Sequence, residues 1–300
     1  QLLPLLSHPD RRVRGQAARA LGEAKNGGSA IGQYELVPLL SDPEPRVRFF
    51  AAIALSKQKV RSGGIHEDIV NAAAKMLAEN NNRDPYLRHA GVMALTAGSR
   101  LDDPTSSYKG SDRLVANLVK HENKAVRLAA LLALRRLNSN STGLFLEDED
   151  VFIVEEATRA IHDGGLHDSM NSQGGFFQIS PPLPDLLSYA NNEDTIGWNN
   201  PTIARRVINA LYRDGSKISA KTLAQYATSP DIPEAIRLEA LRDLVEWENP
   251  PALDKVNGMW RPIPPRKLVL SDELKLSLII KALHPANTDM AIAATQFAQR

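Results

Sequence analysis

Residues 2–21, LLPLLSHPDRRVRGQAARAL, and residues 36–55, LVPLLSDPEPRVRFFAAIAL, agree at 13 of 20 positions, including Pro4 with Pro38, Pro9 with Pro43, Arg14 with Arg48 and Leu21 with Leu55. A chain that writes one phrase twice at a 34-residue offset is constrained more by that period than by any local propensity, because periods of this length mean stacked structural units. The core of the phrase is an Arg, an Ala-rich stretch, and a Leu seven residues after the Arg. It recurs as Arg14 to Leu21, Arg48 to Leu55, Arg88 to Leu95, Arg127 to Leu134 and Arg237 to Leu244, with less faithful copies ending at Ile161 and Leu211. Measured at that last residue, the spacings are 34, 40, 39, 27, 50 and 33.

Each unit runs from an apolar helix such as ELVPLL, through a turn such as SDPEP, into a second helix rich in Ala. Asp42 before Pro43 and Asp84 before Pro85 read as N-cap oxygens followed by a proline at the first helical position, where a missing N–H is no loss. The pairs Ala17/Ala18, Ala51/Ala52 and Ala129/Ala130 are small enough to let helices of neighbouring units approach closely. A helix pair that cannot bury its apolar face alone must stack on the next. The expectation is an all-α chain, an α-solenoid of stacked helix pairs.

The second-helix pattern DP-x-x-x-VR-x-x-A-A-x-A-L resembles the HEAT repeat family over about residues 1–245. That resemblance implies scaffolds and binding surfaces more than reactions. The recurrent arginines Arg14, Arg48, Arg88, Arg127 and Arg237 admit two readings: an anion-binding ladder along one face, or structural pairs inside the stack with capping carboxylates such as Asp42 and Asp84. The second is favoured, since an Arg beside a turn aspartate sets register between units.

Two places break the rhythm. An insertion near 164–182 carries Gly, Asn, Ser and Pro and stretches one spacing to 50. Residues 246–270 hold Pro250, Pro251, Pro262, Pro264 and Pro265, which forbid a helix and read as an extended proline-rich strap. Trp260 and Arg261 lie in its middle. Trp260 is expected to anchor the strap against the solenoid; the alternative makes Trp260 and Arg261 a partner contact. Ser271 and Asp272 restart helices over 271–300. Both ends of the sequence fall inside helical patterns, so the chain is expected to be a piece of a longer polypeptide, with its first repeat truncated.

Net charge is +1, from 36 Lys and Arg against 35 Asp and Glu, which argues against nucleic acid as the main partner. No apolar run reaches the roughly 18 residues of a membrane span. The chain has no cysteine, which removes disulfides, thiolate metal sites, a Cys nucleophile and a Cys-x-x-Cys-His haem attachment from these residues.

Seven histidines call for a metal test. One HEAT-type enzyme, the di-iron deoxyhypusine hydroxylase, draws its ligands from His-Glu pairs on second helices. Here LRHA puts Ala90 after His89, where a Glu is needed, and the pairs His66-Glu67 and His121-Glu122 fall outside second helices. HDGGLHD, residues 162–168, reads as a helix end and turn rather than a metal loop. No phosphate loop or nucleophile elbow is present. No catalytic residue, metal ligand or cofactor is therefore expected within this segment.

The phrases FIVEEATRAIHD (152–163), PTIARRVINALYRDG (201–215) and IPEAIRLEALRDLVEWENPPALDKVNGMWRP (232–262) resemble the HEAT segment of large planctomycete and verrucomicrobial membrane-bound dehydrogenase-like or haem-binding proteins. In that family the segment follows a sugar-dehydrogenase-like β-propeller and precedes a c-type cytochrome domain. The resemblance implies a scaffold between those domains, partners that are a propeller, a cytochrome domain or other subunits, haem c in the parent only, dehydrogenase activity in the parent only, and an extracytoplasmic location. The alternative is a stand-alone protein-interaction scaffold of an unrelated assembly.

Overall fold

The computed structural model describes residues 2–24, 33–57, 66–97, 110–164, 197–283 and 288–299. Among them every regular element is helical; one antiparallel bridge joins Leu253 to Trp260. The insertion expected near 164–182 lies outside the described residues from 165 on, as do His167 and Asp168. The chain forms two compact units, Gln1–Ala157 and Thr158–Arg300. The strap and the C-terminal helices belong to the second, with the helices of 201–245.

The first unit contains α1 (Arg11–Glu23), α2 (Gln33–Leu36), α3 (Pro45–Lys57), α4 (Glu67–Asn80), α5 (Pro85–Leu95), α6 (Gly110–Ala116), α7 (Lys124–Arg136) and the first part of α8 (Val151–Asp163). Helix α1 packs on α3, α3 on α5 and α5 on α7, while α4 and α6 pack against α5 and α7 as a second row. Side-chain size explains the first row. Ala51, Ala52, Ala129 and Ala130 are fully buried, and a Cβ on Gly22 would come within 2.8 Å of the Ala54 Cα. Larger residues there would hold the helices apart and open voids.

The turns repeat too. Asp10 accepts the Arg12 N–H (2.8 Å), Asp84 those of Tyr86 and Leu87 (2.8 and 3.3 Å), and Asn123 that of Ala125 (2.8 Å), so short polar side chains start α1, α5 and α7. Asp42 departs from the expectation. Helix α3 begins at Pro45, so Asp42 lies two residues ahead of the capping position and instead closes the turn, its Oδ1 accepting the Glu44 N–H at 2.9 Å.

That displacement frees Asp42 to join units. Arg14 forks onto it with Nε at 2.7 Å and Nη2 at 3.0 Å, while Arg14 Nη1 donates to the carbonyls of His8 and Pro9 at 2.9 and 3.0 Å. Arg127 repeats the device: it forks onto Asp148 at 2.8 and 3.1 Å and donates to the carbonyls of His121 and Glu122 at 3.0 and 3.2 Å. One planar guanidinium thereby fixes a helix to its own turn and to the next unit. Arg48 makes the own-turn half, to the Asp42 and Pro43 carbonyls at 2.7 and 3.4 Å.

The ladder is not uniform, for a chemical reason. The position six before each arginine holds His8, Asp42, Asn82 and His121 in the first four units, and of these Asp42 receives the preceding unit's arginine fork. Asp42 satisfies the turn amide and still offers oxygen to an arginine. His121 spends Nδ1 on the Asn123 N–H at 3.0 Å, which leaves a neutral ring only an N–H to offer. Arg88, one unit earlier, makes no side-chain hydrogen bond to a described residue, and Asn82 Oδ1 is buried without a donor. In the second unit Arg237 Nε is likewise buried without an acceptor.

The second unit contains the last turn of α8, then α9 (Pro201–Asp214), α10 (Lys217–Thr228), α11 (Glu234–Val245), α12 (Asp272–Ala282) and α13 (Thr288–Ala298). Helix α11 packs on α9 and α13, with α10 and α12 as the second row. Asn200, Ser216 and Ser271 cap α9, α10 and α12.

Arg127 and Asp148 expose only 7% and 2% of their side chains, so one partner alone is a buried unpaired charge. Arg127→Met should destabilise the first unit by about 3–5 kcal/mol in urea unfolding, and adding Asp148→Leu should recover most of the loss.

Candidate interaction site

Between α11 and α12 the chain runs without a helix from residue 246 to 271, as five prolines require. It is not featureless. Asp254 folds residues 252–261 into a closed loop: its Oδ1 accepts the N–H groups of Val256 and Asn257 at 2.9 and 3.1 Å, and its backbone N–H donates to the Met259 carbonyl at 2.8 Å. Gly258 supplies the positive φ of 70° the turn needs. Arg261 N–H closes the neck on the Ala252 carbonyl at 3.0 Å.

Below the loop lies a buried charge network. The Asp254 carboxylate is wholly buried and receives Arg213 and Arg261, each with Nη1 at 3.3 Å from Oδ2. Arg213 also donates to the Arg261 carbonyl at 3.2 Å, and Arg261 to the His162 carbonyl at 3.0 Å. The His162 ring nitrogens sit 2.8 Å from Asp163 Oδ1 and 2.8 Å from Asn209 Oδ1. Arg206 forks onto Asp163 at 3.2 and 2.9 Å. Burial alone would raise the Asp163 carboxyl; the hydrogen bonds from His162 and Arg206 outweigh it and hold the group well below the usual carboxylate range.

A second clamp is Lys255. Its Nζ lies 2.6 Å from Asp243 Oδ1 and 2.6 Å from Glu246 Oε2, and 4.4 Å from the Tyr212 ring centre. Complete burial, with Glu239 and Glu246 adding like charge, pushes the Asp243 carboxyl up to about 7 against the pull of Lys255.

Further along, Arg266 lies over Trp247 at 3.9 Å and Tyr212 at 4.8 Å, with Nε donating to the Trp247 carbonyl at 3.2 Å and Nη2 to the Tyr212 carbonyl. Gly215, with φ 69°, must be glycine twice over, since a Cβ would strike the Arg266 guanidinium.

These contacts correct the expected anchor. Trp260 is 73% exposed, and the residue buried against the helices is Trp247, at 1%. Arginines tie the strap down, and Arg261 is one of them. Around Trp260 the loop also turns out Leu253 and Met259, both 54% exposed. The structure thus separates the two residues paired in sequence: Arg261 faces inward and Trp260 outward.

Arg14 with Asp42 and Arg127 with Asp148 form joints in the first unit; Arg48 bonds its own turn; Asp84 caps α5; Arg237 lies half-buried on α11. Sequence reasoning missed Asp254, Arg213, Lys255 and Arg266. The available signals were DKVNG, an Asx-type turn ending in Gly, and the Arg following Pro264-Pro265. Among the described residues no group of three or more His, Asp or Glu side chains could hold a metal ion, and no helix is long and apolar enough to cross a membrane. His66 precedes α4 without capping it, and His121 follows the short turn Asn117–Lys120.

Residues 1–96 match a family model described as HEAT repeats. No curated protein matches the chain. Similar solved structures include an engineered protein (18% identity, TM-score 0.39, over 99% of this chain and 76% of that one). Another is the CpcE–CpcF complex of phycocyanin lyase from Nostoc sp. (16%, TM-score 0.34, 99% and 92%). A third is a designed armadillo repeat protein in complex with the peptide (KR)4 (15%, TM-score 0.23, 100% and 97%).

Two predictions follow from the geometry. Trp247→Ala should destabilise the second unit by about 3–5 kcal/mol, whereas Trp260→Ala should change its stability by less than about 0.5 kcal/mol, both read by urea unfolding. Asp243 binds its proton more tightly folded than unfolded, so between its ordinary value and about 7 its contribution to stability falls as pH rises. Asp243→Asn should flatten that fall, measured as the difference between variant and parent unfolding midpoints across the same window.

Proposed function

We propose that this chain is a non-catalytic scaffold whose second unit presents Leu253, Met259 and Trp260 to a protein partner. The observation that carries the reading is the contrast within one loop: Trp260 is 73% exposed while its neighbours Asp254 and Arg261 are locked in a buried ion network. Exposed apolar side chains on a floppy loop lose binding energy to ordering; on a loop held by the Asp254, Lys255 and Arg261 contacts that loss is already met in folding. Tryptophan is also the residue type most often found carrying interface energy.

The finer reading places the scaffold in a multidomain, sugar-dehydrogenase-like redox protein outside the cytoplasm, with the neighbouring propeller or c-type cytochrome domain as partner. What supports it is the resemblance of residues 152–163, 201–215 and 232–262, the same stretches that contribute His162, Arg206, Arg213, Asp254 and Arg261. With no cysteine in the chain, the thioether bonds of a haem c would have to come from another domain, and these residues would supply position rather than redox chemistry.

The test is a photocrosslinking residue at position 260 in the full-length protein, followed by peptide mapping. Crosslinks should reach a β-propeller or a Cys-x-x-Cys-His domain; crosslinks to a separate subunit would favour the stand-alone scaffold, and crosslinks only to these helix pairs would contradict both. Trp260→Ala should weaken the mapped association by about 2 kcal/mol or more with the helical circular dichroism unchanged.

A further inference from the structure

Four turns of the first unit share one backbone shape. His8, Asp42, His121 and Asp148 are extended, with φ between −67° and −59°, and the side chain of each accepts the N–H two residues on: Asp10, Glu44, Asn123 and Asp150, at 2.9–3.0 Å. An aspartate at that position has an oxygen left over. Asp42 and Asp148 use it to take the arginine of the preceding unit, Arg14 and Arg127.

Arg88 has neither half of this device. Its own turn takes another path, because Asn81 and Asn82 have φ of 44° and 58° and Asn80 closes the turn, its Oδ1 accepting the Asp84 N–H at 3.0 Å and its Nδ2 donating to the Asp84 carbonyl at 2.9 Å. The pair of turn carbonyls that Arg14, Arg48 and Arg127 each find is not offered. Toward the next unit, α5 packs on α7 as α1 packs on α3, and the residue standing where Asp42 stands is His121. Its Nδ1 is taken by the Asn123 N–H, so Nε2 carries the ring hydrogen. Two donors therefore belong to this joint, a half-buried guanidinium and an imidazole N–H, and among the described residues neither is met by an acceptor.

We infer that the joint between α5 and α7 is a binding site for a carboxylate, onto which Arg88 forks as Arg14 does onto Asp42. The chain itself specifies the ligand class, since a carboxylate fills the equivalent place at two other joints. Arg14 and Arg127 are each neutralised by the aspartate they grip, whereas an anion arriving at Arg88 gains charge-assisted hydrogen bonds without displacing a resident partner. A planar, two-oxygen group matches the guanidinium fork; a spherical ion does not.

The test follows the Arg88 Nε–H signal of the whole chain by proton–nitrogen NMR, assigned by its loss in Arg88→Gln, during separate titrations with sodium acetate, acetyl-Ser-Asp-Pro amide and sodium chloride. Acetate should shift the signal saturably. The peptide repeats residues 41–43 and separates two sources of the same chemistry: binding tighter than acetate supports a carboxylate presented on a polypeptide turn, and weaker binding supports a small free carboxylate. His121→Asp supplies the carboxylate from within while still accepting the Asn123 N–H, so its Arg88 signal should start near the shifted position and its response to acetate should fall at least about tenfold. In Arg88→Gln the response of the His121 and Asn123 signals should weaken by a similar factor. No saturable shift with acetate or peptide, or an undiminished response in Arg88→Gln or His121→Asp, would overturn the inference. So would chloride acting as well as acetate, which would mark an adventitious ion only.

Discussion

The structure depends on one constraint: a helix pair with apolar residues on two sides must be covered on both. In the first unit α3 meets it, with α1 on one side and α5 on the other. Alanines at the contact let the backbones come close, so each step buries surface without demanding large complementary shapes. Small residues give attraction but little register. The arginine forks provide the register, each linking helix, turn and next unit through one planar group.

The same logic, shifted from apolar to charged contacts, explains the loop at 252–261. An extended, proline-rich segment has few internal hydrogen bonds, and its ordering must be offset by contacts elsewhere. Here they are ionic: Asp254 takes two arginines, Lys255 takes two carboxylates, and Arg266 stacks on Trp247. Buried charge is poorly stabilising in net terms but intolerant of misplacement. A loop held this way has one position, and its apolar tip is offered in one orientation. That is the property a docking element needs and a merely hydrophobic tether would not supply.

The helical class could be read in advance because a period repeats its own signal; errors at one copy are corrected by the next. The joints were only half readable. Arg14 and Arg127 stand out by position, but whether each finds a carboxylate depends on a single residue one unit later, Asp42 and Asp148 in these cases and His121 after Arg88. The loop was misread because aromatic residues in straps are expected to anchor, and nothing local distinguishes Trp260 from Trp247. The distinction is tertiary: Trp247 follows α11 and lies beneath the returning Arg266, while Trp260 sits at a bridge whose other side chain, Leu253, also faces out. The cooperating charges of the network lie between 162 and 266 in sequence, a separation no pattern within a window reveals.

The central claim is that the loop is held from below by charge with Trp260 turned outward. The most direct measurement is a proton–nitrogen correlation spectrum of the indole N–H groups of Trp198, Trp247 and Trp260, recorded with and without a soluble paramagnetic agent. The account predicts strong broadening of the Trp260 signal and protection of Trp247, with the Trp260 signal shifting on Arg261→Ala as the loop loses its hold. A Trp260 indole as protected as that of Trp247 would mean that the tryptophan, not the ion network, fixes the strap, and would contradict the account.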